Sequence, residues 1–445
     1  MKILFLEIDT ERTWALASVG SGYIGSYIRL HGHEAALLRI LPDQKVQDII
    51  CCIENEEPDI LGFSLTTRQW QRAAYVAGEI RKKLDIPMIA GGLHPTFAPE
   101  SVLLTEGFDY VCLGEGEEAL CDLLSCLEKC GEICAGSIKN IWVKGAGRPD
   151  LRPPFEPIDK MPFIARDLLD EKHGVIHIST QRGCPFPCTF CAAGAIDDLY
   201  GNAGYIRRRS IDNLLEELGQ IRQKSSVNYI IFLDDTFTVN RDWVKEFCLV
   251  YGKEMGIGFS INARVETINR NMIDQLAEAG CRHIIYGVES GSLRIRRDIL
   301  NRPVENQRYI DIFNWTKQAN ILVTANYMIG LPGEKSEDID KTLALNYELE
   351  PDDFGYFVFY PYPGTRLFYF CHEKGFLPEN YLKLPANNRQ SILNLPDLTR
   401  DDIEYYYNLF TKVRENAYMD RYGSALNAED KALVSKSFEK SAAVG

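Results

Sequence analysis

The chain has 445 residues, 49 Lys and Arg against 63 Asp and Glu, a formal charge of −14, and 13 cysteines. A single core rarely grows past about 250–300 residues, so two or more domains are expected. An apolar share of 45% and a charged share of 25% exclude a disordered or fibrous chain, and acidity without a basic block excludes a general nucleic-acid binder.

The opening Met1-Lys2-Ile3-Leu4-Phe5-Leu6 meets Glu7 too early for a signal core, and no apolar run approaches the roughly 20 residues of a membrane span. With an odd cysteine count, this points to a cytoplasmic chain of reduced thiols or a metal site rather than disulfides. Residues 1–145 alternate between strand and helix patterns. Strand candidates are 3–8, 60–65, 87–90 and 110–113. Helical spacing recurs at Tyr23, Tyr27, Ile28 and Leu30, and again at Ala119, Leu120, Leu123, Leu124 and Leu127. Such alternation predicts a doubly wound, Rossmann-like parallel sheet with ligands beyond its carboxyl ends. Pro149, Pro153, Pro154, Pro157 and Pro162 crowd the next stretch, a linker over 146–163. Six further strand candidates follow at 175–180, 229–233, 259–262, 283–288, 323–329 and 356–360. Six βα units within 164–375 predict a partial (β/α)6 barrel with its chemistry at the carboxyl-end rim. Residues 376–445 read as a helical cap over 401–422 and a Ser/Ala/Lys tail that frays.

The decisive segment is Gln181-Arg182-Gly183-Cys184-Pro185-Phe186-Pro187-Cys188-Thr189-Phe190-Cys191-Ala192. Its three cysteines are spaced C-x3-C-x2-C, and Gly183, Pro185 and Pro187 break regular structure between them. Three thiolates are one short of the four that saturate a [4Fe–4S] cluster, which would leave one iron open to a small molecule. A zinc site completed by His173 or His177, a ferredoxin-like carrier that borrows Cys248, and a chance group of buried thiols are the competing readings.

The motif, with Phe190 before its last cysteine, resembles the signature of the radical S-adenosylmethionine superfamily. The resemblance covers about residues 165–370. It implies that Cys184, Cys188 and Cys191 hold a [4Fe–4S] cluster, and that the amine and carboxylate of S-adenosylmethionine chelate the open iron. It implies Phe190 packed near the adenine. Later strand ends are similar to the family's other segments: Asp234 and Asp235 at the position that binds the methionine amine, Arg264 for the methionine carboxylate, and Glu289 for the ribose hydroxyls. Gly330, in Met328-Ile329-Gly330-Leu331-Pro332-Gly333-Glu334, lies in the loop that passes the adenine. A helix cap is the plain alternative for the aspartates, and a salt bridge for Arg264.

Residues 1–145 look like the cobalamin-binding domain fused to one class of this superfamily. The likeness rests on Ser64 in Gly62-Phe63-Ser64, on Gly91 and Gly92 before Leu93-His94-Pro95, and on Gly114, Glu115 and Gly116. The phosphate-binding G-x-G-x-x-G is missing, which disfavours a dinucleotide. No histidine has Asp two residues before it, so a cobalamin without a histidine lower ligand is implied, with His94 structural. Cys126, Cys130 and Cys134 could hold a second cluster, but their i, i+4, i+8 spacing suits packing along one helical stripe. The implied reaction is methylation of an unactivated carbon. One S-adenosylmethionine methylates cobalt and a second yields a 5′-deoxyadenosyl radical that takes a substrate hydrogen. The implied setting is anaerobic, with a small-molecule substrate, a one-electron donor such as flavodoxin or ferredoxin, and no nucleic acid. Oxidative cyclisation or rearrangement on the same scaffold, and a cobalamin- or cluster-based sensor, are the alternatives.

Overall fold

The computed structural model describes residues 1–10, 19–131, 138–169, 171, 173–201 and 205–422. They form two compact units. One comprises 1–183 and 195–228, the other 184–194 and the described chain from Tyr229 onward.

The first unit is built on β1 (Lys2–Ile8), β2 (Glu34–Ile40), β3 (Ile60–Ser64), β4 (Met88–Gly91), β5 (Tyr110–Cys112) and β6 (Ile141–Val143). Their order is β2-β1-β3-β4-β5-β6, parallel except for the antiparallel pair β5–β6. Ile3 pairs with both Ala35 and Ile60 in the register of the central strand. Both faces are buried. Leu4, Leu6, Leu61 and Phe63 enter one core, and Ile3, Phe5, Ile60 and Ile89 the other. This two-sided burial demands continuous apolar strands, which is why Ile3-Leu4-Phe5-Leu6 reads so plainly in the sequence. The strand order reverses at β1, between β2 and β3, and such a switch point opens a crevice beyond the carboxyl ends. The unit also holds β7 (Val175–Ile178) and the antiparallel pair β8 (Gln181–Arg182) and β9 (Arg207–Arg208).

The second unit carries β10 (Tyr229–Phe232), β11 (Phe259–Ala263), β12 (Cys281–Glu289), β13 (Leu322–Ile329) and β14 (Asp353–Val358), parallel and adjacent in chain order. With β7 these complete the strand set of a partial (β/α)6 barrel. Helices separate them, and Asn240 and Asn269 cap two of these through the amides of Trp243 and Met272. Along β13 the side chains alternate: Val323, Ala325, Tyr327 and Ile329 are buried, while Thr324, Asn326 and Met328 are half-buried. The helix Arg400–Tyr422 closes the described chain, and the expected tail lies outside the described residues. None of the twelve described cysteines is in a disulfide. No helix among the described residues is long and apolar enough to cross a membrane.

Candidate functional site

The cysteine loop belongs to the second unit from Cys184 to Gly194. It is fastened at its middle: the Thr189 hydroxyl donates to Ile299 O at 2.5 Å, Leu367 N donates to Thr189 O at 2.9 Å, and Asn301 Nδ2 to Pro187 O at 3.1 Å. Cys184 and Cys188 are buried and Cys191 half-buried. Burial pushes the Cys191 thiol up to about 12, and the charges of Asp235, Cys188 and Cys184 push the same way. The Cys184 thiol is also raised by burial, although Thr236 Oγ1 lies 3.5 Å from its sulfur. The Cys191 thiol therefore lies close enough to the other two to feel their charge. Among the described residues no three His, Cys, Asp or Glu side chains stand together as ligands of one metal ion. A [4Fe–4S] cluster takes each thiolate on a different iron, so its ligands need not converge on a point. Two buried thiols and a half-buried third on one short loop fit such a cluster, whose iron charge would offset the cost of burying thiolates.

Around the loop stand the other strand ends. Asp234 is buried, and its carbonyl accepts from Asn262 Nδ2 at 3.1 Å. Asp235 is solvent-accessible yet hemmed in, and desolvation raises its carboxyl. Of the two aspartates, it is Asp235 whose charge reaches Cys184 and Cys191. Arg264 Nη1 donates to Cys188 Sγ at 2.8 Å, and its other edge meets Glu266. Phe190 packs against the apolar cluster that contains Leu331, as does Met328.

Glu289 has φ 69°, left-handed backbone at a shift in the β12–β13 register. Such an outlier in a non-glycine residue costs energy and marks a position held for a purpose. The shift aims its carboxylate at Arg302, whose Nη1 donates at 2.8 Å. A Cβ at Gly287 would stand 2.3 Å from Glu289 Oε1, so a side chain there would displace the Glu289 carboxylate from Arg302. Gly330 N and Leu331 N donate to Glu334 Oε2 at 2.7 and 3.1 Å, which fixes the turn after β13. Glu266, Arg302 and Glu334 thus join the site, as does Phe186, whose ring centre lies 3.9 Å from the Arg264 guanidinium carbon. Glu266 and Arg302 carry no sequence signal of their own, whereas Glu334 closes the Gly330 segment.

In the first unit a crevice of about 260 Å³ lies at the switch point, lined by Asp9, Arg39, Ser64, Gly92 and neighbours. Gly92, at φ 96°, lets the turn after β4 pass so close to Leu65 that a Cβ would lie 2.7 Å from its carbonyl oxygen. Ser64, Gly91 and Gly92 are small and half-buried there, which fits a bulky ligand approaching backbone. His94 is not available to it. Its Nδ1 and Nε2 lie 3.3 and 3.2 Å from Thr67 Oγ1 and Ser101 Oγ, and its ring stacks on Trp70 at 4.7 Å. Gly114-Glu115-Gly116 is enclosed by its own chain. Arg207 and Arg182 donate to Glu115 Oε1 at 2.6 and 3.2 Å, Phe155 N donates to its Oε2 at 2.7 Å, and Glu115 N donates to the Tyr200 hydroxyl. Burial works to raise the Glu115 carboxyl, but Arg207 and Arg182 hold it below the usual carboxylate range. Cys126 and Cys130 lie on the helix Glu117–Cys130, and Cys134 lies outside the described residues.

Two family models match this arrangement in order: the B12 binding domain over residues 15–124 and the radical SAM superfamily over 178–345. The chain belongs to the cobalamin-binding radical S-adenosylmethionine family. This radical SAM protein is 29% identical over 362 residues to an uncharacterised methyltransferase of Pyrococcus horikoshii, with 78% of this chain and 77% of that one covered. It is 24% identical to the anaerobic magnesium-protoporphyrin IX monomethyl ester cyclase of Rubrivivax gelatinosus, over 83% of this chain and 69% of the cyclase. Its fold matches the cobalamin-dependent S-adenosylmethionine radical enzyme OxsB with a TM-score of 0.75 and 16% identity, over 99% of this chain and 71% of OxsB. The radical SAM chain is thus an enzyme, which sets the sensor reading aside, and its cofactors are a [4Fe–4S] cluster, S-adenosylmethionine and cobalamin.

Proposed function

We propose that this enzyme methylates an unactivated carbon of a small-molecule substrate. The observation that carries the reading is the union of a B12 binding domain and a radical SAM domain in one chain that resembles a methyltransferase over most of its length. When bound, the cluster and S-adenosylmethionine supply one-electron cleavage of a sulfonium, and cobalamin supplies a carrier for methyl.

The protein's part is to hold, orient and keep dry. Cys184, Cys188 and Cys191 hold the cluster. Asp235, with Asp234 behind it, receives the methionine amine near the thiols. Phe190 lies along the adenine, residues around Gly330 pass its edge, and Glu289 accepts the ribose hydroxyls. Arg264 stands at the cysteine loop within reach of both a sulfur and a carboxylate. Ser64, Gly91 and Gly92 border the cobalamin, while Gly114, Glu115 and Gly116 shape the neighbouring wall. The functional division is residues 1–145 for cobalamin, 146–163 as linker, 164–375 for radical chemistry and 376–445 as cap. The enzyme works in an anaerobic cytoplasm and takes its electron from flavodoxin or ferredoxin.

The test is an anaerobic incubation of the reconstituted enzyme with dithionite, methyl-labelled S-adenosylmethionine and a small-molecule extract. Methylation yields S-adenosylhomocysteine and 5′-deoxyadenosine in equal amounts and places label on a product carbon. The likeness to the cyclase favours oxidative cyclisation as the second reading. 5′-Deoxyadenosine without S-adenosylhomocysteine would support it and overturn methylation.

A further inference from the structure

Arg264 is fixed from three sides. Nη1 donates to Cys188 Sγ at 2.8 Å, Nε and Nη2 both donate to Glu266 Oε1, and the guanidinium carbon stands 3.9 Å from the centre of the Phe186 ring. The Arg264 side chain is 8% exposed, so these partners leave the planar group a single orientation in a dry setting. Behind Glu266 the charges continue to alternate. Arg302 acts electrostatically on both Glu266 and Cys188, and it donates to Glu289 at 2.8 Å. Such a chain of opposite charges holds each member in place, and its end that faces the cysteine loop is positive.

We propose that Arg264 is a positioning residue of the iron–sulfur cluster, a fixed cationic donor to the Cys188 sulfur that raises the cluster's reduction potential. The inference rests on the reading that Cys184, Cys188 and Cys191 hold a [4Fe–4S] cluster. One-electron reduction takes the cluster core from the 2+ to the 1+ state, adding a negative charge with no bond made or broken. A positive N–H group against a ligating sulfur stabilises the more negative state, since hydrogen bonds to sulfur and nearby charge tune such potentials. Phe186 and Glu266 serve by fixing the donor's direction.

The experiment is a redox titration of the full chain, reconstituted anaerobically, with mediators and dithionite and without S-adenosylmethionine. Wild type, Arg264→Lys and Arg264→Met are compared for iron content, cluster spectrum and midpoint potential. Arg264→Met is expected to keep its irons and titrate at a more negative potential, with Arg264→Lys in between. An unchanged potential in an iron-replete Arg264→Met would overturn the proposal. If that variant loses iron, Arg264→Lys decides: a lower potential supports the proposal, whereas an unchanged potential or loss of iron here too overturns it. An unchanged potential, together with weakened S-adenosylmethionine binding in a separate equilibrium-binding measurement on the same proteins, would overturn the proposal and assign Arg264 to the methionine carboxylate instead. A wild type that never holds iron would refute the cluster reading itself.

Discussion

Arg207 donates to Glu115 at 2.6 Å, and the two residues stand 92 positions apart in the sequence. That half-buried carboxylate also serves Arg182, two residues before Cys184, which Glu117 pairs from its other side, so two anions compensate two cations. Breaking a buried pair from one side leaves an uncompensated charge and typically costs about 3–5 kcal/mol. Glu115→Gln is therefore expected to lower the unfolding free energy of the cofactor-free protein by roughly 3 kcal/mol in a urea titration. If Glu115 served cobalamin alone, the cofactor-free stability would not move.

Glu334 gives a second expectation, about rising pH. Its side chain is fully buried, and burial pushes its carboxyl up to about 8 despite the amides of Leu331 and Gly330. Its folded pKa lies above the ordinary 4.5, so its contribution is complete below that pH and is lost as pH rises through about 8. Glu334→Gln keeps an acceptor for both amides and cannot ionise. Thermal unfolding followed from pH 5 to 9 should show a smaller loss of stability between pH 5 and about 8 in this variant than in wild type. An equal loss in both would mean that Glu334 is not the group that titrates.

His94 acts at the other end of the scale. Burial pushes its pKa down to about 4 from an ordinary 6.5. A depressed folded pKa stabilises the fold above pH 6.5 and loses that contribution as pH falls through about 4. Full loss amounts to roughly 3 kcal/mol, at about 1.4 kcal/mol for each pH unit of displacement. His94→Gln should flatten the acid limb of the stability profile between those two pH values. A wild-type profile with no slope there would contradict a neutral, buried ring.

What the sequence revealed and what it hid divide along a physical line. The parallel strands of the radical SAM region were legible because they are short apolar runs, as in Tyr229–Phe232, or alternate buried with half-buried residues, as in Leu322–Ile329. The last one begins at Asp353 rather than 356, since its exposed first residue carries no apolar signal. Strand Glu34–Ile40 was not legible: Glu-Ala-Ala-Leu-Leu-Arg-Ile favours helix locally, and only pairing along all of β1 makes it extended. The cysteine motif was readable because its ligands are neighbours in the chain. Arg264 and Cys188 are 76 residues apart, so their contact follows from the order of strand ends rather than from any local pattern. Likewise Glu115, read as a ligand-facing residue from its glycine neighbours, has its charge taken by arginines that only the fold brings near.

The cysteines themselves supply the last expectation, because position separates them by role. Cys184, Cys188 and Cys191 share a loop pinned by Thr189 and Asn301, whereas Cys248, Cys281 and Cys371 are buried at separate places on strands and helices. A small buried thiol packs as a hydrophobe, and its replacement by alanine costs little beyond a partial void. Cys371→Ala should therefore lose about 1 kcal/mol of stability, the typical cost of a small void, and keep its iron. Cys184→Ala, Cys188→Ala and Cys191→Ala should each lose the cluster's visible absorption after anaerobic reconstitution, with iron falling from about four per chain towards zero. The contrast is the informative quantity, since iron bound nonspecifically to exposed thiols would fall by similar amounts in both sets. Retention of full iron in any one of the three loop variants would remove that cysteine from the ligand set.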